Sequence, residues 1–161
     1  MKTLAKTITI PATPEAVFKF MDNLSKVGMH MSENSMMMMG SKLNLEQMPG
    51  PASGVGATFH WKGKVMGMTI DIMESVTKWV ENKEKVWETF GDPKIILLGS
   101  YQMALNLSPV SEGNTQVKLQ ITYTKPKGWF NQILYFFLAR WYCNWCLDNM
   151  LNDTKKAFKR Q

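Results

Sequence analysis

Cysteine is scarce in this chain: there are two in 161 residues, Cys143 and Cys146. That excludes a disulfide-built scaffold. The pair forms one C-x-x-C motif with no second pair to complete a zinc site. Zinc-finger spacing, a ribonucleoprotein-type aromatic strand and a glycine-rich phosphate loop are all missing. The net charge is +6, but the lysines are scattered. Only "KKAFKR" at the C-terminal end forms a basic run. Nucleic acid is therefore not an expected partner. The first residues, "MKTLAKTITIPATPEAVF", lack the apolar core of a secretory signal, so a cytoplasmic protein is expected. No internal repeat or linker interrupts the chain, and residues 1–161 read as a single domain.

Methionine is what the chain has in excess, with 14 residues. Four are consecutive, Met36–Met39, just after Met29, His30 and Met31. Soft thioethers suit Cu(I). A copper site, however, needs several sulfurs converging on one point. Neighbouring residues on a strand alternate faces, so at most two of the four can converge. No metal site is expected. A flexible, polarizable lining for an apolar cavity fits better.

Hydrophobic periodicity gives the architecture. Residues 3–10 read as a strand. Thr13 then caps a helix with Pro14 in its first turn, and Val17, Phe18 and Met21 form its apolar face. Residues 24–31 suggest a second short helix. From Ser35 onward the period is two. Met37, Met39, Leu43 and Leu45 share one face; so do Phe59 and Trp61, then Ile70, Ile72 and Glu74. Tyr101, Met103, Leu105 and Leu107 follow, then Leu119, Ile121 and Tyr123. "EKVWETF" is short and suggests an edge strand. Such alternation means an antiparallel sheet with one buried face. A long helix, residues 128–159, can cover that face. The fold class is α+β, with about six to seven strands, two short helices after the first strand and a long C-terminal helix.

The stretches "ITIPATPEAVFKFMDNLS", "GVGATFHWKGKVMG" and "LGSYQMALNLSPVSEGNTQVKLQITYTKPKG", followed by a tryptophan-bearing helix, resemble the SRPBCC superfamily. This is the START/Bet v 1-like group, often labelled polyketide cyclase/dehydrase and lipid transport. The resemblance spans nearly the whole chain, but its motifs are structural. It implies a helix-grip fold, in which a curved sheet wraps the C-terminal helix around a deep apolar cavity. It also implies a hydrophobic ligand: a lipid, hormone, quinone or polyketide. A minority of the group catalyse cyclisation or aromatisation.

On that reading the cavity is lined by Met37, Met39, Phe59, Trp61, Ile70, Tyr101, Met103, Leu119, Ile121 and Trp141. No cofactor is expected. No catalytic pair stands at a recognisable spacing, so a non-enzymatic binding protein is the leading expectation. A cyclase-like enzyme is the alternative, with Glu74 or His30 as acid/base and Tyr101 holding a carbonyl. Glu88 shares a face with Val86 and Phe90, which also makes it a candidate buried carboxylate. His60 alternates with Phe59 and Trp61 and should face solvent. The cysteines lie deep in the helix, away from its positive end, and read as packing residues.

The C-terminal helix is apolar nearly all round between Trp129 and Leu147, where Arg140 is the single charge. Such a helix needs cover on both sides. Phe130, Leu134, Phe137, Trp141 and Trp145 share one side. Cys143, Leu147, Met150, Leu151 and Phe158 lie on another. The second cover could be Leu24–Met31 together with the Met36 region, a second copy meeting it through Trp129–Trp145, or peripheral contact with a membrane surface.

Overall fold

The computed structural model describes residues 1–27, 43–65 and 68–159. Their order is β1 (Lys2–Ile10), α1 (Pro14–Met21), α2 (Leu24–Val27), β2 (Leu43–Gln47), β3 (Thr58–Val65), β4 (Met68–Val80), β5 (Glu84–Lys94), β6 (Tyr101–Ser111), β7 (Asn114–Tyr123) and α3 (Trp129–Lys159). His30, Met37 and Met39, with the rest of the methionine cluster, lie outside the described residues.

The seven strands form one antiparallel sheet in the order β1-β7-β6-β5-β4-β3-β2. Strands adjacent in sequence are adjacent in the sheet from β2 to β7. β1 returns to pair with β7 along its length, from Lys2↔Tyr123 to Ile10↔Thr115. Register shifts interrupt the β4–β5 ladder between Asp71 and Met73 and between Val76 and Lys78. Irregularities of this kind bend a strand and increase its twist.

The two helices after β1 follow local rules. The Thr13 side chain accepts a hydrogen bond from the Ala16 amide, and Pro14 opens α1. Asn23 does the same for the Ser25 amide at the start of α2. Val17, Phe18, Met21, Leu24 and Val27 are buried against the sheet side of the molecule.

α3 lies across the apolar face. Tyr135, Ala139, Cys143, Leu147, Met150 and Leu151 are its buried apolar residues. They meet Leu105, Leu107, Val117, Leu119 and Tyr123 in one core. Tyr135 packs edge-on against Tyr123, and Lys6 of β1 reaches Asp148 at 2.5 Å. This is a helix-grip arrangement: one face of an open antiparallel sheet closed by a long terminal helix.

Three expectations need correction. "EKVWETF" belongs to an 11-residue strand between β4 and β6, not to an edge. Among the described strands the edges are β1 and β2. Its orientation also runs against hydrophobicity: Lys85 and Trp87 point inward and are buried, whereas Phe90 is exposed and Glu88 partly so. Glu88 instead accepts a hydrogen bond from Gln102 on the outer face. His60, expected in solvent, is buried at 8% exposure. Its Nε2 lies 2.6 Å from Asp71 Oδ1. It sits between Glu46 of β2 and Met73 of β4 in register, and the neighbouring strands' side chains cover it.

Candidate functional site

The middle of the sheet's inner face carries a polar cluster in an apolar setting. Glu74 is 3% exposed. Its place follows from β4 parity, which turns Ile70, Ile72, Glu74 and Val76 to one side. Trp61, on the adjacent strand β3, donates from Nε1 to Glu74 Oε2 at 2.9 Å. Tyr101, on β6, donates from its hydroxyl to Glu74 Oε1 at 2.5 Å. One carboxylate thus takes donors from both sides. Burial raises the Glu74 pKa above the usual carboxylate range, and the Tyr101, Trp61 and Trp87 hydrogen bonds and the Lys85 charge oppose that rise. The Tyr101 hydroxyl is pushed well above its ordinary value, first by burial and then by the Glu74 charge.

A second buried group sits beside it. Lys85 is 1% exposed. It donates to Asp22 Oδ1 at 2.7 Å and to the Asp22 carbonyl at 2.8 Å. Asp22 closes α1, so this contact joins the sheet to the helix pair. Trp79 adds a hydrogen bond to the same carboxylate at 3.3 Å. The ammonium also stands 5.4 Å from the Trp87 ring centre and 5.8 Å from that of Phe59. Burial lowers the Lys85 pKa, against the stabilising effect of Asp22 and Glu74.

An apolar cavity of about 70 Å³ opens onto Glu74. Its walls include Trp61, Ile72, Trp87, Tyr101, Met103 and Ile121 from the sheet, Leu24 and Val27 from α2, and Tyr142, Cys146 and Met150 from α3. Ile95 and Leu98, between β5 and β6, complete the described lining. At roughly 10–15 Å³ for each water-sized occupant, this is room for a handful of atoms rather than a whole lipid.

Four of the expected lining residues meet there: Trp61, Tyr101, Met103 and Ile121. Phe59, Ile70 and Leu119 are buried in the surrounding core without lining the cavity. Trp141 is 54% exposed and lies on the outer side of α3. The helix winds a different strip inward, Tyr142, Cys146 and Met150, spaced by four residues. That spacing is present in the sequence, but the larger aromatic residues give the stronger signal. Lys85 escapes a sequence reading because its charge argues for exposure, and the partner that makes burial tolerable lies 63 residues earlier.

The two thiols are held in their neutral form. Burial pushes both Cys143 and Cys146 up to about 12. A thiol so far from ionisation is a poor nucleophile, and the C-x-x-C motif here serves packing.

This is a helix-grip fold. No protein-family model and no curated protein sequence matches the chain. Solved structures do. TTHA0849 from Thermus thermophilus is 19% identical, with a TM-score of 0.70 over 96% of this chain and 95% of that one. The Zhui aromatase/cyclase from Streptomyces sp. R1128 is 9% identical, with a TM-score of 0.65 over 96% and 94%. A START superfamily protein from Mycobacterium smegmatis is also 9% identical, with a TM-score of 0.61 over 98% and 97%. At these identities the likeness is one of fold. In helix-grip terms, the cavity lies between sheet and terminal helix, and the Glu74 cluster forms its polar floor.

Proposed function

We propose that the protein binds a hydrophobic small molecule in the cavity between the sheet and α3, with an oxygen-bearing group of the ligand seated at Glu74 and Tyr101. One observation carries this reading: a buried carboxyl and the hydroxyl of a half-buried tyrosine open together into an otherwise apolar cavity. Buried polar groups in apolar pockets fix ligand orientation, while apolar burial supplies about 25 cal/mol per Å² of driving force. Drug-sized sites usually measure about 300–1,000 Å³, so the cavity must widen on binding. Met103 and Met150 line it, and methionine repacks at low cost. The polar end also narrows the ligand class. A fatty-acid carboxylate would face Glu74, and two carboxylates repel. A neutral hydroxyl, which can donate to the Glu74 carboxylate, suits the site, as in a reduced quinone or a hydroxylated polyketide-like compound.

Native mass spectrometry of the protein purified from its own host tests this. A co-purifying apolar mass supports it. A consistently empty protein, with no thermal shift from quinones, neutral lipids or aromatic polyketides, would sink it.

A second reading is enzymatic, because a buried carboxyl with a raised pKa beside a cavity is suited to acid/base work. The Zhui aromatase/cyclase shares the fold. Here Glu74 would exchange a proton with the substrate and Tyr101 would hold a carbonyl. Glu74→Gln should then abolish turnover and keep affinity. Absence of turnover by the wild-type protein on polyketide-like substrates would remove this reading and leave binding intact.

A further inference from the structure

The outer side of α3 is the most apolar exposed surface among the described residues. Trp129, Phe136 and Phe137 are 77%, 75% and 71% exposed, and Phe130, Ile133 and Trp141 are about half exposed. At about 100° per residue these six side chains share an arc of roughly 140° on the helix. Large aromatic side chains clustered in water mark a contact surface. The fold does not need them there, because Tyr135, Ala139, Cys143 and Leu147 already close the sheet.

The charges around this face select its partner. Between Trp129 and Leu147 there is Arg140 and no carboxylate. Just before the helix, a groove of about 550 Å³ is lined by Lys94, Lys125 and Lys127 with one acid, Asp92. That acid is occupied by Lys127 at 3.2 Å. The groove also includes Asn131 of the first turn of α3, where the helix dipole is positive. A second copy meeting it through the same face would bring the same net basic surface, whose one acid, Asp92, is already paired with Lys127. An anionic lipid surface offers what is missing: phosphates for the lysines and an interfacial layer for tryptophan and phenylalanine. Among the described residues no helix is long and apolar enough to cross a membrane, so the contact is peripheral.

We propose that the outer face of α3, with the lysine groove at its N-terminal end, docks the protein onto anionic membrane surfaces. Ile95 and Leu98 line both that groove and the inner cavity. Docking therefore places a wall of the cavity next to the lipid. The proposal stands on the surface alone and does not need the cavity to be occupied.

Co-sedimentation of the full chain with vesicles of phosphatidylcholine, and of phosphatidylcholine mixed with phosphatidylglycerol, tests it. Binding is expected to the mixed vesicles and to fall with salt. Lys125→Gln and Lys127→Gln should each weaken it about fivefold, the effect of one basic residue at an anionic surface. Phe136→Ser combined with Phe137→Ser should abolish it while leaving the urea midpoint unchanged. If that variant misfolds, quenching of tryptophan fluorescence by brominated lipid decides instead, and a wild-type signal without quenching overturns the proposal. So does equal recovery in the supernatant with both vesicle types, or undiminished binding by the folded variants. A wild-type dimer that the double phenylalanine variant dissociates would assign the face to a second copy.

Discussion

Tyr101 and Glu74 are hydrogen-bonded across an intervening strand. Tyr101 is on β6 and Glu74 on β4, with β5 between them. Strands two apart stand about 9.6 Å from each other. A tyrosine is long enough to bridge that gap when the strand beneath presents a small residue. Thr89, opposite Glu74 in register, is that residue. Its hydroxyl accepts a hydrogen bond from the Tyr101 amide at 3.1 Å, which fixes the start of β6.

Removing the bridge should leave Glu74 under-solvated. Tyr101→Phe is expected to cost about 1–3 kcal/mol, the penalty for stranding a buried acceptor. It should also raise the Glu74 pKa further, because the largest opposing hydrogen bond is gone. Urea unfolding gives the first quantity. The protonated-carboxyl infrared band, followed against pH, gives the second. An unchanged band would mean that Tyr101 does not control the acid.

The pH dependence of Glu74 has a definite sign. Its folded pKa is raised, mainly by burial. Its contribution to stability is therefore full below the unfolded glutamate value of about 4.3. It is lost as pH rises through the folded value. Glu74→Gln carries no such loss. The difference in unfolding free energy should shift toward the glutamine variant as pH rises from about 4.3. Parallel curves for the two proteins would show that the acid titrates normally.

The Lys85–Asp22 pair should respond unequally to its two halves. Asp22→Ala leaves a lysine with 1% side-chain exposure without its counter-charge and with only the backbone carbonyl of residue 22, and breaking a buried pair in this way costs about 3–5 kcal/mol. Lys85→Met replaces the ammonium with an apolar group of similar length. It leaves Asp22, at 17% side-chain exposure, with Trp79 and some solvent. Its loss should be clearly smaller. Equal losses in denaturant unfolding would indicate that the pair acts only by tethering α1.

Gly99 admits no side chain. A Cβ there would stand 2.2 Å from the Lys125 carbonyl oxygen and 2.9 Å from its carbon. Both are backbone, and the Gly99 amide is bonded to the Thr124 carbonyl at 3.0 Å. Gly99→Ala should cost about 1–3 kcal/mol, as overpacking does, and should disturb the wall carrying Leu98. Thermal unfolding checks the cost; a midpoint equal to wild type would contradict it.

Where one face is buried and no large charge is involved, alternation in the sequence points the right way. In β7, Val117, Leu119, Ile121 and Tyr123 all turn inward, and β6 shows the same from Met103 to Leu107. Glu74 is readable for the same reason: two-residue spacing puts it on the side of Ile70 and Ile72. β5 reads falsely because Lys85 owes its burial to Asp22, a contact that local periodicity does not encode. In α3, the residues that face the cavity, Tyr142 and Cys146, are less apolar than those that face out, Phe136 and Phe137. Ranking faces by hydrophobicity therefore selects the wrong side of the helix. The exposed aromatic face and the misplaced Trp141 are one phenomenon.

The return of β1 to β7 has a consequence for how the chain folds. β2 through β7 can form by pairing each strand with the next in sequence. Among the described strands β1 pairs with β7 alone, since Lys2 meets Tyr123 and Ile10 meets Thr115. Closing so long a loop is entropically slow. On the ribosome β1 emerges well before β7 and must wait, unpaired, until β7 follows it.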